Sequence, residues 1–367
     1  MKSKRQIEAN ATIPSAFRMP AEWEPHAATW LAWPHEASDW PGKLAAIPWV
    51  YAEIIRHLHR AELVHLLVND RAKESVARRA LTKAGVHLKR VEIHRWPTDR
   101  VWTRDSGPTF LLGPNREKTL LDWQFNAWAK YPNWHNDDKV PSRIAALTGY
   151  PIRQPMWNGR RVVLEGGSIE VNGAGLLLTT EECLLSDVQC RNPDMTRTDY
   201  DQLFAEFLGI KKVLWLNRGI AGDDTHGHID DLARFVAPRR VVTVVESNPQ
   251  EENYAPLQEN LERLRGMTDA DGSKLEVIPL PMPDPVVFAG QRLPASYANF
   301  YIANGLVLVP TFNDVKDRTA LGILADLFPE RQVVGIHAVD LVYGLGTLHC
   351  LTQQEPAGLD LSGVPRL

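Results

Sequence analysis

Glu165-Gly166-Gly167-Ser168-Ile169-Glu170-Val171-Asn172-Gly173 is the stretch whose reading decides the fold. Its apolar end runs into Asn172-Gly173, and a second apolar run, residues 176–179, follows. Asn-Gly between two such runs is a strong hairpin signal, because both residues accept the left-handed backbone of a tight turn. The same arrangement recurs along the chain. Residues 104–112 turn at Gly113-Pro114-Asn115 into 119–123; residues 227–236 turn at Pro238-Arg239-Arg240 into 241–245; residues 297–302 turn at Asn304-Gly305 into 306–309. The hairpins begin at Asp105, Glu165, His228 and Asn299, spaced by 60, 63 and 71 residues.

Between the hairpins lie helical stripes and further strands. Tyr254, Leu257, Leu261 and Leu264 share one helix face, and Ala320, Ile323, Leu324 and Leu327 another. Strands are expected at 212–216, 275–278 and 333–336. Before the first hairpin the pattern predicts a strand at 28–34, a helix carrying Val50, Ile54, Ile55 and Leu58, and a strand at 63–68. A helix at 71–84 ending on Gly85 and a strand at 86–93 complete that unit. A unit of strand, hairpin partner, helix and strand, repeated at this period, predicts an α/β propeller, blades set about one axis rather than a linear solenoid. The run 347–352 reads as a strand that closes the ring against the N-terminal unit. No low-complexity linker divides the chain, so one domain, residues 19–367, is expected after a polar extension at 1–18.

Composition excludes several classes. Of 367 residues, 44% are hydrophobic and 23% charged, as in an ordinary globular protein. A net charge of −4 offers no electrostatic case for nucleic acid or an anionic membrane. Three cysteines, Cys183, Cys190 and Cys350, are too few and too odd in number for a disulfide framework. With no apolar signal segment and no span-length apolar window, a cytoplasmic protein is expected.

The chemistry is expected where polar residues share the hairpin starts. Asp105, Glu165, His228 and Asp230 fall on equivalent places of the repeat, so rotation would bring them to one end of the axis. Cys350, after the turn Tyr343-Gly344-Leu345-Gly346, falls at the same level. A thiol, an imidazole and three carboxylates in one pocket make a better functional candidate than any member alone. In a strand, His228 and Asp230 would point to one face. Taken singly, each has a structural reading: Cys350 as a small buried hydrophobe, Asp105 as a turn cap or a partner of Arg104, Glu165 as a turn carboxylate. His226 and His349 read as neighbours, and Cys183 and Cys190 as structural. A metal on His226, His228 and Asp230 is the rival reading, but the spacing is not that of known zinc motifs. No glycine-rich phosphate loop opens a helix, so no cofactor is expected.

At this point the motifs resemble the agmatine deiminases, in the group that also contains the Porphyromonas-type peptidylarginine deiminases. They are residues 19–26, Trp102-Thr103-Arg104-Asp105-Ser106-Gly107-Pro108, Phe125-Asn126-Ala127-Trp128, Glu165-Gly166-Gly167-Ser168, residues 222–230 and Leu348-His349-Cys350-Leu351-Thr352-Gln353-Gln354. The resemblance implies a pentein-like five-bladed propeller with pseudo-fivefold symmetry. It also implies cofactor-independent hydrolysis of a guanidinium to a ureido group and ammonia. By position, Cys350 looks like the nucleophile, His228 the acid/base and Glu165 the carboxylate that orients it. Asp105 and Asp230 look like the pair that holds the guanidinium, with Trp102 along the substrate and Gly344 at the expected substrate contact. Agmatine, hydrolysed to N-carbamoylputrescine on the way to putrescine, is the expected substrate; peptidyl or free arginine, with Lys130 or Arg161 facing a carboxylate, is the alternative, and a non-catalytic propeller is a more distant one.

Three departures from the family pattern stand out. Ala129-Lys130 follows Trp128 where two glycines are usual. Leu345 interrupts a triple glycine, and His226 precedes Gly227 in place of an acidic or amide residue.

Overall fold

The computed structural model describes residues 16–358. The chain is α/β, built on five sheets. The N-terminal unit supplies three parallel strands, β1 (His26–Ala32), β2 (Leu63–Val68) and β3 (Val91–Arg95). The second sheet holds β4 (Thr109–Leu112), β5 (Lys118–Leu121) and β6 (Ile152–Arg153). A short ribbon, β7 (Met156–Trp157) with β8 (Arg160–Arg161), leads to the third sheet: β9 (Glu170–Val171), β10 (Leu176–Thr180) and β11 (Lys212–Leu216). The fourth holds β12 (Ala233–Ala237), β13 (Arg240–Val245) and β14 (Glu276–Pro281). After a second ribbon, β15 (Val287–Phe288) with β16 (Gln291–Arg292), the fifth holds β17 (Tyr301–Ala303), β18 (Leu306–Thr311) and β19 (Gln332–His337).

In each of these four repeats the first two strands pair antiparallel and the third joins parallel. The antiparallel partner of β1 comes from the other end of the chain: β20 (Gln353–Pro356) pairs with it, Thr29 opposite Gln354. Sequence-adjacent strands can close on a tight turn, whereas a parallel third strand needs a crossover, and helices supply it. In the N-terminal unit the helix Ile47–Ala61 buries Ile47, Tyr51, Ile54, Ile55 and Leu58 as a single stripe. Arg71–Lys83 is capped by Asp70, which accepts from the Lys73 amide, and ends before Gly85 at φ +76°. Central strands such as β10 are buried on both faces.

Three expectations need correction. The strand expected at 86–93 starts only at Val91, because residues Leu88–Arg90 form a 3₁₀ turn. His228 and Asp230 do not alternate along a strand; Ile229–Asp231 is a 3₁₀ turn and β12 begins at Ala233. The run 347–352 is likewise a turn, and the closing strand begins at Gln353. At 228–231 and at 347–352, side chains bonded to buried partners outweigh the β-propensity of the run. Of the polar N-terminal stretch, residues 1–15 lie outside the described residues, while Arg18 bridges to Leu112 and its guanidinium meets Glu24.

A buried charge network ties the repeats together. Arg234 of β12 donates to Glu170 of β9 at 3.0 Å, to Glu22 at 2.8 Å and to the Phe300 carbonyl at 2.6 Å. Glu22 also accepts from the Ile302 amide and faces His349 Nε2 at 2.7 Å. Each charge is taken out of water only because an opposite charge or dipole meets it.

Candidate active site

Five turns, four just before the first strand of a hairpin and the fifth just before β20, bring five sets of polar side chains together. Thr103–Ser106 carries Asp105, the turn at Gly166–Ser168 follows Glu165, and Ile229–Asp231 follows His228 and carries Asp230. Asn299 precedes β17 and Cys350 precedes β20. A turn at this place lets the side chain project from the strand end while its backbone is held by neighbouring turns: the Gly167 amide donates to Asp105 Oδ1 at 2.9 Å, and the Arg104 amide to the Cys350 carbonyl at 3.2 Å. Glycine is required at 167, where a Cβ would lie 2.6 Å from His228 Nδ1 and 2.8 Å from Asp105 Oδ1.

Cys350 is 6% exposed. Its Sγ accepts from Asn299 Nδ2 at 3.1 Å and lies 3.7 Å from Asp230 Oδ2. Burial pushes the thiol well above its usual range, and Asp230, Asp231 and Asp105 add to the effect, with Asn299 opposing it. The thiol is therefore protonated when no cation is present. His228 Nδ1 stands 3.8 Å from Asp105 Oδ1 and Nε2 stands 3.8 Å from Glu165 Oε2. Burial would lower its pKa, but Asp105, Cys183 and Glu165 outweigh that and hold it well above the usual histidine value. Glu165 is also buried, yet Arg191, at 3.1 Å, and His228 pull it down to about 2. Asp105 goes the other way. Burial, with Asp230 and Glu165 nearby, raises it to about 6, against the pull of His228. Asp230 is buried too, and the 2.7 Å bond to His349 Nδ1 nevertheless keeps it below the usual carboxylate value.

Four buried polar atoms in this cluster have no hydrogen-bond partner among the described residues: Glu165 Oε2, both His228 ring nitrogens and Asp230 Oδ1. Buried groups of this kind are normally hydrogen-bonded, so a concentration of orphans marks a place built for something that arrives. A cavity of about 500 Å³ reaches the cluster, with Cys350 and Asp105 in its wall beside Trp102, Trp128, Tyr343, Gly344, Leu345 and Gly346. Gly346 packs where a Cβ would meet Trp102 at 2.7 Å and the Cys350 Cβ at 3.1 Å, so only glycine leaves room for both. Asp39, Arg100, Tyr131 and Asp224 also line the cavity.

The structure thus gathers Cys350, His228, Glu165, Asp105 and Asp230, with Trp102 and Gly344 on the cavity wall. Asp105 does not pair with Arg104, whose Nη2 lies 3.6 Å from Glu22. His226 turns to Ser186 Oγ at 3.0 Å. Arg161 is held by Asp122 and by Asp138, and Lys130 pairs with Asp224. His349, expected to be a bystander, bridges Asp230 to Glu22.

Several residues escaped the sequence reading. Asn299 holds the thiol turn: its Oδ1 accepts from Thr347 Oγ1 at 2.7 Å and from the His349 amide at 3.0 Å. Its place at the start of a hairpin, equivalent to Asp105 and Glu165, was the available signal. Trp128 Nε1 donates to Asp105 Oδ2 at 2.9 Å, and Arg191 anchors Glu165. Cys183 lies beside Glu165 and His228, their polar atoms all within 4.8 Å of one another.

The description of Porphyromonas-type peptidyl-arginine deiminases matches residues 18–356. A curated protein of Selenomonas ruminantium, named provisionally as an agmatine deiminase, is 36% identical, with 93% of this chain and 96% of that protein covered. The solved agmatine deiminase of Enterococcus faecalis is 32% identical with a TM-score of 0.87, covering 96% of this chain and 99% of its own. A Campylobacter jejuni agmatine deiminase solved with substrate bound is 29% identical with a TM-score of 0.84, covering 94% and 97%. An amidinotransferase from Microseira wollei, 12% identical with a TM-score of 0.50, shares the fold alone. The chain belongs to the Porphyromonas-type peptidyl-arginine deiminase family, hydrolases that act on C–N bonds of amidines.

Proposed function

We propose that the chain hydrolyses the guanidinium of agmatine to N-carbamoylputrescine and ammonia through a covalent intermediate on Cys350. The observation that carries the reading is the cluster of polar atoms without hydrogen-bond partners around a thiol that burial, and after it the nearby carboxylates, keep protonated. A guanidinium cation placed between Asp105 and Asp230 reverses that field: its charge offsets the carboxylates, and the thiolate becomes the favoured form. The substrate itself switches on the nucleophile. Two carboxylates suit the planar, multiply donating cation and leave its carbon open to the sulfur.

With His228 already protonated, the thiol releases its proton to solvent through the open cavity, and the thiolate attacks that carbon to give a tetrahedral adduct. His228, protonated beside Asp105 and Glu165, passes its proton to the departing amine, so ammonia leaves and a thiouronium remains on Cys350. Neutral His228 then takes a proton from water, whose oxygen attacks the same carbon. The C–S bond breaks, the new hydroxyl passes its proton to the departing sulfur, and the ureido product leaves. Glu165, at about 2, stays ionised throughout and holds the imidazolium.

The choice of agmatine rests on the cavity wall. Arg100, its cationic lining residue, is paired with Asp39, and Lys130 with Asp224, so neither is free for an α-carboxylate. Asp39 Oδ2 has no partner and suits a terminal ammonium. The repeated sheet order and the β1–β20 pairing support five blades about a pseudo-fivefold axis and one domain over residues 19–358, the rest of the expected domain, 359–367, lying outside the described residues. The three free thiols favour a reducing compartment such as the cytoplasm, and no described helix is long and apolar enough to cross a membrane.

The test is ammonia release over agmatine, free arginine and a peptidyl arginine, with Cys350→Ser as control. Agmatine is expected to exceed arginine in kcat/KM by about a hundredfold or more, the scale set by an unpaired buried charge. Equal turnover of arginine would overturn the substrate, and turnover by Cys350→Ser would overturn the covalent route. Slow alkylation of the substrate-free thiol is expected on either reading, so the adduct must be trapped during turnover, by mass spectrometry after acid quench.

A further inference from the structure

One face of the first sheet carries an unusual set of side chains. In the register of β2 and β3, His65 lies opposite Glu92, and His94, two residues on, returns to the same face. Trp30 of β1 lies opposite His65. The His65 Nδ1 and His94 Nε2 atoms are 2.9 Å apart, and His65 Nδ1 is 3.5 Å from Glu92 Oε2. All three ligand-type atoms fall within 4.8 Å of one another. Tetrahedral coordination with bonds of about 2.0–2.1 Å sets neighbouring donor atoms roughly 3.3 Å apart. The two measured spacings bracket that value, and the third pair, Glu92 and His94, lies within 4.8 Å and closes by rotation of the exposed Glu92 side chain.

The rings are held in place beforehand. Trp30 stacks on His65 with centroids 4.0 Å apart, and Trp96 on His94 at 4.8 Å. A hydrogen bond between two ring nitrogens requires one of them to present a bare lone pair. Moving the shared proton to the other nitrogen of its own ring bares the second, with no net proton released. Glu92 is exposed, so the site opens to solvent.

We propose that His65, Glu92 and His94 form a site for a late first-row divalent cation of the zinc and copper class, remote from catalysis and clamping the edge strand β3 to β2. Two imidazoles and one carboxylate are a borderline donor set that suits Zn²⁺ or Cu²⁺ and disfavours Mg²⁺ or Ca²⁺. The fourth position is left for water. Because β3 ends the sheet, a cross-strand clamp there adds stability where the ladder has one partner only.

The test uses the full chain, stripped with chelator and titrated calorimetrically with Zn²⁺. One equivalent is expected to bind, with a rise in thermal midpoint. His94→Gln should weaken binding at least about tenfold and abolish the rise, with Glu92→Gln smaller in the same direction. Cu²⁺ should quench tryptophan fluorescence from Trp30 and Trp96 in the parent and not in His94→Gln. His94 lies on an edge strand and is half-buried, so an unchanged metal-free thermal midpoint is expected for its variant. No saturable binding would overturn the site. So would equal binding by His94→Gln, or binding lost only in Cys183→Ser, which places the cation beside Glu165 and His228 instead.

Discussion

At the scale of single residues, Asp105 sets the acid side of the reaction. Its folded pKa of about 6 lies above the ordinary 3.8. The folded protein thus holds a proton that the unfolded chain has lost, and ionising Asp105 lowers stability as pH rises between those values. Guanidinium capture has the opposite sign, because only the carboxylate binds the cation. The free enzyme should lose kcat/KM about tenfold per unit below a limb near pH 6. In the profile of kcat alone the limb should move lower, since bound substrate favours the ionised form. Steady-state assays at constant ionic strength between about pH 3.8 and 8, a range that takes in the interval from 3.8 to about 6, check both, and a shared limb would place the titration on another group. Asn299 acts through Cys350. Asn299→Ala removes the amide that donates to the sulfur and to Asp231 and that accepts from two backbone amides and Thr347. Its kcat should fall on the order of a hundredfold, by loss of alignment of the thiol, with a smaller change in KM.

At the scale of elements, two loops take glycine conformations with other residues. Leu345 has φ +69° and caps the 3₁₀ turn Leu341–Gly344. Ala127, Trp128 and Ala129 are left-handed in succession, at +51°, +60° and +54°. Asn126 holds the second loop by accepting from the Ala129 amide at 2.8 Å, and the loop aims Trp128 at Asp105. A left-handed L-residue costs roughly 1–2 kcal/mol relative to glycine, so Leu345→Gly should gain up to about 1 kcal/mol, net of the entropy of a freer unfolded chain. It should also widen the cavity, which Leu345 lines, and raise the KM for a small substrate. Denaturant titration and substrate saturation test the two effects separately. Gly167→Ala should have the reverse character, with the catalytic geometry lost before stability, since the added carbon meets His228 and Asp105.

At the scale of the whole molecule, the active site and the fold share one charge network. His349 connects Asp230 to Glu22, and Arg234 connects Glu22 to Glu170 and to the carbonyls before β17. Arg234→Leu keeps the apolar bulk but strands two carboxylates in the interior. A loss of about 3–5 kcal/mol is expected, enough to unfold a marginally stable protein, and it is read as the urea midpoint. Truncation before β20 should be as damaging, because it unpairs β1 and removes the strand that anchors the Cys350 turn.

Much of this was legible in the chain alone. Hairpin turns are local: Asn172-Gly173 and Asn304-Gly305 dictate their backbone by their own sterics, and β9–β10 and β17–β18 form where they predict. The repeat of polar residues at hairpin starts likewise singled out Asp105, Glu165, His228 and Asp230. The turns that carry His228, Asp230 and Cys350 were misread as strands. Their conformation depends on partners far along the chain, as when Asn299 fastens the Cys350 turn or Gly167 fastens Asp105. Arg191, Trp128 and Cys183 were illegible for the same reason: each matters through a contact that exists only after sheets distant in sequence have packed. Turn chemistry and periodicity are short-range and can be read from neighbours, whereas charge compensation and the protonation of Cys350 and His228 belong to the assembled interior.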